Sequence, residues 1–176
     1  MKMCQAFSEN GHKVVLLAPD IKQKYERGIN NVFEFYGVKN NFEIKKLWYP
    51  NIIGGGLIYT LAIFFYLLLV KKFDLVYGRF LHGCYIATLL KNKVIFETHE
   101  IIFRKRNHKI IVFNNLIKSR YFKKLIVISQ ALKNIYLENK YLDNSTIQVA
   151  HDGADEVKNF NNKVKLLGPE NHLKVG

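Results

Sequence analysis

Short apolar runs rich in β-branched residues recur along this chain at 13–18, 42–47, 75–77, 94–98, 125–128 and 147–150, each bounded by Gly, Pro, Asn or Asp. Most are continuously apolar rather than alternating. A strand covered on both faces needs that pattern, and such strands belong to parallel sheets. The stretches between them, at 1–10, 57–72, 82–91, 107–121 and 130–139, read as helices. Ser129 stands where its hydroxyl can accept from the exposed amides of the following turn, as an N-cap does. Strand and helix in alternation predict the α/β class, doubly wound around a mainly parallel sheet.

With 176 residues the chain matches one ordinary domain and is short for two. At 49% hydrophobic it is too apolar for a disordered tail. Lys and Arg number 27 against 14 Asp and Glu, a net charge of +13. Such a field favours phosphate-bearing partners: nucleic acid, anionic lipid headgroups or nucleotide-linked substrates. Cys4 and Cys84 show no paired spacing, so neither a disulfide framework nor a zinc knuckle is suggested. Residues 1–10 carry Glu9 and lack a long apolar core, so they do not read as a secretory leader. A reducing cytoplasm is the expected setting.

The order of elements carries a second expectation. A doubly wound domain opens with a strand at the centre of the sheet, where strand order reverses and ligands bind. Here a helix at 1–10 comes first, so the first strand is expected to be missing. Gly168-Pro169 closes the last helical stretch, and 173–176 reads as a strand beginning. The chain is thus expected to be shortened at both ends, with an incomplete domain over 1–166 and a linker entering another domain over 167–176.

From Asn51 to Val70 no residue is charged, and Lys71-Lys72 follow. A helix over 57–70 would span only about 21 Å, against the roughly 30 Å of a bilayer core. It is expected to cover the sheet and touch lipid rather than cross it. Between Glu100 and Glu138 there is no acid, yet Arg104, Lys105, Arg106, Lys109, Lys118, Arg120, Lys123, Lys124 and Lys133 fall there. Interleaved with Ile110, Ile111, Phe113, Leu116 and Ile117, they suggest an amphipathic basic helix. It would be either a solvated face or an adhesion surface for an anionic membrane. No nucleic-acid motif accompanies the charge, so nucleic acid is an unlikely partner.

The candidate chemistry lies at strand ends. Phe96-Glu97-Thr98-His99-Glu100 closes one predicted strand at the carboxyl edge, where open α/β sheets place ligands. Alternation puts Glu97 and His99 on one face, where a carboxylate can fix the imidazole's tautomer. A histidine merely capping the strand end is the competing reading. Tyr77-Gly78-Arg79 ends the preceding strand the same way, and Arg79 suits either a phosphate or an ion pair with Glu97 or Glu100. His151-Asp152-Gly153-Ala154-Asp155 follows the last strand as a glycine-bearing turn. Gly54-Gly55-Gly56 is no phosphate loop, since no Gly-Lys-Ser/Thr follows.

Taken in order, these segments resemble the N-terminal half of the family-four, retaining, GT-B glycosyltransferases of bacteria. Residues 3–12 leading into Lys13-Val14-Val15-Leu16-Leu17-Ala18-Pro19 resemble that family's first helix and second strand. Asp74-Leu75-Val76-Tyr77-Gly78-Arg79, then Phe96 to Glu100, then Ile126-Val127-Ile128-Ser129 resemble its later strands. His151 to Asp155 is similar to its Asn-Gly-Val-Asp turn, with Asp152 in place of Asn and Gly153 retained. The resemblance implies a Rossmann-like acceptor-side domain whose partner domain binds a nucleotide-sugar, with transfer in the cleft between. It implies no bound metal and no cofactor beyond the donor co-substrate. His99 matches the family histidine near the transferred sugar, so a catalytic role in positioning the reacting groups is implied for it. Arg79, Glu97 and Glu100 are implied as acceptor contacts, and Asp152 and Gly153 as the interdomain turn. A sugar or lipid-linked acceptor, an anionic membrane at the inner face of the plasma membrane and a separately encoded C-terminal half are the implied partners. Lipopolysaccharide or capsule synthesis is the implied setting. Without the donor domain the chain is expected to be inactive. The competing reading from another class is a non-catalytic membrane-surface or scaffold module that kept the fold.

Overall fold

A computed structural model describes residues 1–21, 29–70, 73–104 and 108–151. The elements run α1 (Lys2–Glu9), β1 (Val15–Asp20), α2 (Val32–Phe35), β2 (Glu43–Trp48), α3 (Gly55–Leu69), β3 (Val76–Gly78), α4 (Leu81–Leu89) and β4 (Val94–Thr98). A 3-10 turn (Ile102–Arg104) follows, then α5 (His108–Lys118), β5 (Phe122–Val127), α6 (Gln130–Glu138) and β6 (Ile147–Val149). All the strand pairs are parallel, and helices intervene as expected of a Rossmann-like α/β fold.

The parallel strands fall into two sheets. β1 pairs with β2, and β3-β4-β5-β6 form a four-stranded sheet in chain order. No ladder joins β1 to β3 among the described residues; α1 reaches the larger sheet through Phe7, whose ring meets that of Tyr77 edge-on at 5.6 Å. Burial follows this division. β4 and β5 are buried along most of their length, whereas no residue of β1 or β3 is fully buried.

The main core is built from Phe96, Leu125 and Val127 of the larger sheet against Phe113 and Leu116 of α5 and Tyr136 of α6. α3 and α4 complete it, with Tyr59, Ile63 and Leu67 at i, i+4 and i+8 supplying one buried stripe of α3. Gly54 takes φ +88 at the start of α3, a left-handed conformation that suits glycine, and a Cβ on Gly55 would stand 2.2 Å from the Pro50 carbonyl oxygen. Gly78 has a packing reason, because a Cβ there would stand 2.6 Å from the Cys84 sulfur of α4.

Ser129 is the N-cap expected of it, its hydroxyl accepting from the Leu132 amide. The helix expected over 107–121 forms as α5, but it carries only part of the charge. α5 ends at Lys118, Arg120 lies in a turn, Lys123 and Lys124 sit in β5, and Lys133 belongs to α6. Lys105, Arg106, Asp152, Gly153 and the stretch 167–176 lie outside the described residues.

Candidate functional site

Period-two alternation and parallel register together build the site. Tyr77 and Gly78 of β3 stand opposite Ile95 and Phe96 of β4, so Arg79 emerges beside Glu97 at the carboxyl edge. Glu97 is the hub, with only 3% of its surface exposed. Its Oε2 accepts from the Tyr77 hydroxyl at 2.6 Å. Its Oε1 pairs with the Arg79 guanidinium and with His99 Nε2, the latter at 2.9 Å.

Desolvation pushes the Glu97 pKa up, but the hydrogen bonds from Arg79, Tyr77 and His99 outweigh it and hold the carboxyl below its ordinary value. Glu97 is therefore a carboxylate at neutral pH and can only accept. It follows that His99 Nε2 carries the proton, and that in the neutral ring Nδ1 is the lone-pair atom. The imidazole is about one-third exposed, so a ligand can reach it while the carboxylate behind stays covered. Burial, then the carboxylate it donates to, drives the Tyr77 phenol up in turn, keeping it protonated.

Glu100 departs from this cluster. Its carboxylate meets Lys109 Nζ at 3.4 Å, and its carbonyl accepts from the Tyr136 hydroxyl at 3.1 Å. Tyr136, fully buried, also takes the Ile102 amide, and burial pushes its own pKa up to about 12. It thereby pins the loop that leaves β4. Next to this loop the rings of His82 and His108, at the first turns of α4 and α5, lie 5.5 Å apart. Desolvation first, then His108 and Lys109, lowers the His82 pKa. His151 closes the same edge, its Nδ1 donating to the Ile128 carbonyl at 3.0 Å.

The structure thus brings Arg79, Glu97 and His99 together and sets Glu100 to one side. Sequence reasoning did not single out Tyr77 or Tyr136. The same alternation that paired Glu97 with His99 puts Tyr77 on the face of Arg79, so Tyr77 was within reach of the sequence; Tyr136 acts across a long chain separation and was not. No group of three or more His, Cys, Asp and Glu among the described residues is placed to hold a metal ion. Chemically, the arrangement offers one oriented imidazole with a fixed tautomer on an open rim. The family model described as Glycosyltransferase Family 4 matches residues 1–158. No curated protein matches the chain.

Proposed function

The chain belongs to glycosyltransferase family 4, and we propose that it is the acceptor-side domain of a retaining enzyme that moves a sugar from a nucleotide-sugar to a saccharide or lipid-linked acceptor in cell-surface polysaccharide synthesis. The observation that carries the reading is His99, held by the buried Glu97 at the carboxyl edge of a parallel sheet. In this role Nδ1 of the neutral ring accepts a hydrogen bond from a hydroxyl of the transferred sugar, while Glu97 keeps the ring oriented. Both Glu97 oxygens are engaged by protein groups, so Glu97 positions and does not touch the substrate. Arg79 and Glu100 border the acceptor, and Asp152 and Gly153 belong to the turn towards the donor side. The reaction needs no metal.

The test is a transfer assay with UDP-hexose or GDP-hexose and a lipid-phosphate acceptor. The chain alone should give no product, and supplying a donor-binding domain as a second polypeptide should restore transfer. In that mixture His99→Ala should lower kcat by about 10²-fold. Turnover by the chain alone would refute the divided site. An unchanged kcat in His99→Ala would remove the role assigned to His99 and leave a non-catalytic module as the better reading.

A further inference from the structure

Three donors converge on the Glu97 carboxylate, and they differ in stiffness. The torsion that orients a carboxyl group is broad, so a buried glutamate needs an outside contact to fix which oxygen faces which neighbour. Arg79 anchors it poorly, since its side chain is 56% exposed and carries much rotamer freedom. His99 is the group to be positioned, with 38% of its side chain open to solvent. Tyr77 is the remaining donor.

Sequence and fold together make Tyr77 stiff. It sits inside β3 opposite Ile95 of β4, so alternation carries its side chain to the face on which Glu97 stands two residues further along β4. A phenol ring has only two side-chain torsions, and here the Phe7 ring of α1 meets it edge-on with centroids 5.6 Å apart. The hydroxyl donates to Oε2 at 2.6 Å, which leaves Oε1 turned to His99 Nε2 at 2.9 Å. Burial, and then Glu97 itself, pushes the ionisation of the phenol up, so it stays a donor wherever Glu97 is charged.

We propose that Tyr77 is the positioning residue of this site: its hydroxyl holds Oε2, which turns Oε1 to His99 Nε2 and thereby presents Nδ1 to the substrate. Tyr77 acts through Glu97 and then His99, not on the substrate. Arg79 supplies charge to the carboxylate rather than orientation. The bearing of this relay on transfer rests on the role given to His99 above, whereas the relay itself is a property of the chain alone, so the two can fail separately.

Proton NMR of the nitrogen-15-labelled chain at neutral pH tests it. One imidazole N–H should be slowed in its exchange with water, and its loss in His99→Ala identifies it as His99 Nε2–H. Tyr77→Phe keeps the ring against Phe7 and removes only the hydroxyl; the same proton should then exchange about fivefold faster. Arg79→Lys, which keeps the charge and loses the guanidinium fork, should change the rate by no more than about twofold. Unchanged imidazole signals from His82, His108 and His151 report that the fold is kept in both variants. In the complemented transfer mixture Tyr77→Phe should lower kcat by about tenfold at an unchanged KM, the split expected of a misoriented group rather than of lost binding. Exchange in Tyr77→Phe equal to that of the parent overturns the proposal. So does a larger effect from Arg79→Lys than from Tyr77→Phe, which would make Arg79 the anchor, or a parental kcat in Tyr77→Phe despite faster exchange. If His99→Ala leaves kcat unchanged while the exchange rates behave as described, the transfer reading fails and the relay stands.

Discussion

Glu97→Ala should cost about 2 kcal/mol of stability at neutral pH and release His99 from its fixed orientation. Removing one partner from a buried ion pair typically costs about 3–5 kcal/mol. Arg79 is half exposed and can turn to water, which brings the expectation down to about 2 kcal/mol. Three donors lose their acceptor at once: the Tyr77 hydroxyl, the Arg79 guanidinium and His99 Nε2. The effect must depend on pH in a defined sense. The folded-state pKa of Glu97 lies below its unfolded value, so its contribution is complete above the ordinary glutamate pKa of about 4.3 and fades as pH falls through the folded value. Urea denaturation at a series of pH values should therefore show parent and variant converging in acid. A gap that stays constant down to low pH would mean that Glu97 is not the charged hub described here.

Phe113→Ala should be the most damaging single truncation, at about 3–5 kcal/mol. Phe113 is fully buried, and its ring lies within 6.3 Å of Phe96, 5.8 Å of Tyr136 and 6.1 Å of Tyr141. Removing it opens a cavity where the sheet meets α5 and α6, against a total stability for such domains of only about 5–15 kcal/mol. The consequence reaches the site, because Tyr136 packs on Phe113 and holds the loop after β4 through the Glu100 carbonyl. The denaturant midpoint should fall with an unchanged m-value. A loss under about 1 kcal/mol would show that the neighbouring aromatics close the gap and that Phe113 is not the keystone of the core.

The sequence was most legible where one local rule decided the outcome. The run 94–98 is β4 without adjustment, because Val94, Ile95 and Phe96 lie between Asn92-Lys93 and the polar end at Glu97-Thr98-His99. Glu97 and His99 met as alternation required. The strand at 125–128 was read too short, since Lys123 and Lys124 interrupt its apolar pattern. Lys124 tolerates the strand by sending its ammonium to the Ser145 carbonyl. α2 escaped notice because a single turn has no periodicity, although Asn31, whose side chain accepts from the Phe33 and Glu34 amides, was a visible cap. The charge expected on the basic helix was spread over several elements for the opposite reason: composition locates charge along the chain but not in space. Tyr136 was beyond reach, since nothing local to it indicates a carbonyl on Glu100.

The break between β1 and β3 has a thermodynamic consequence. Among the described residues no backbone ladder crosses it, and the β1–β2 side has its own small apolar knot, with the Phe33 and Phe42 rings 5.2 Å apart. Cooperativity is transmitted through shared ladders and shared core, and here the first is absent. Side-chain packing couples the N-terminal pair to the larger sheet instead, Leu47 and Tyr49 lying against the main core and Phe7 against Tyr77. Unfolding stays a single event only while that packing holds, and its loss would separate the two sheets.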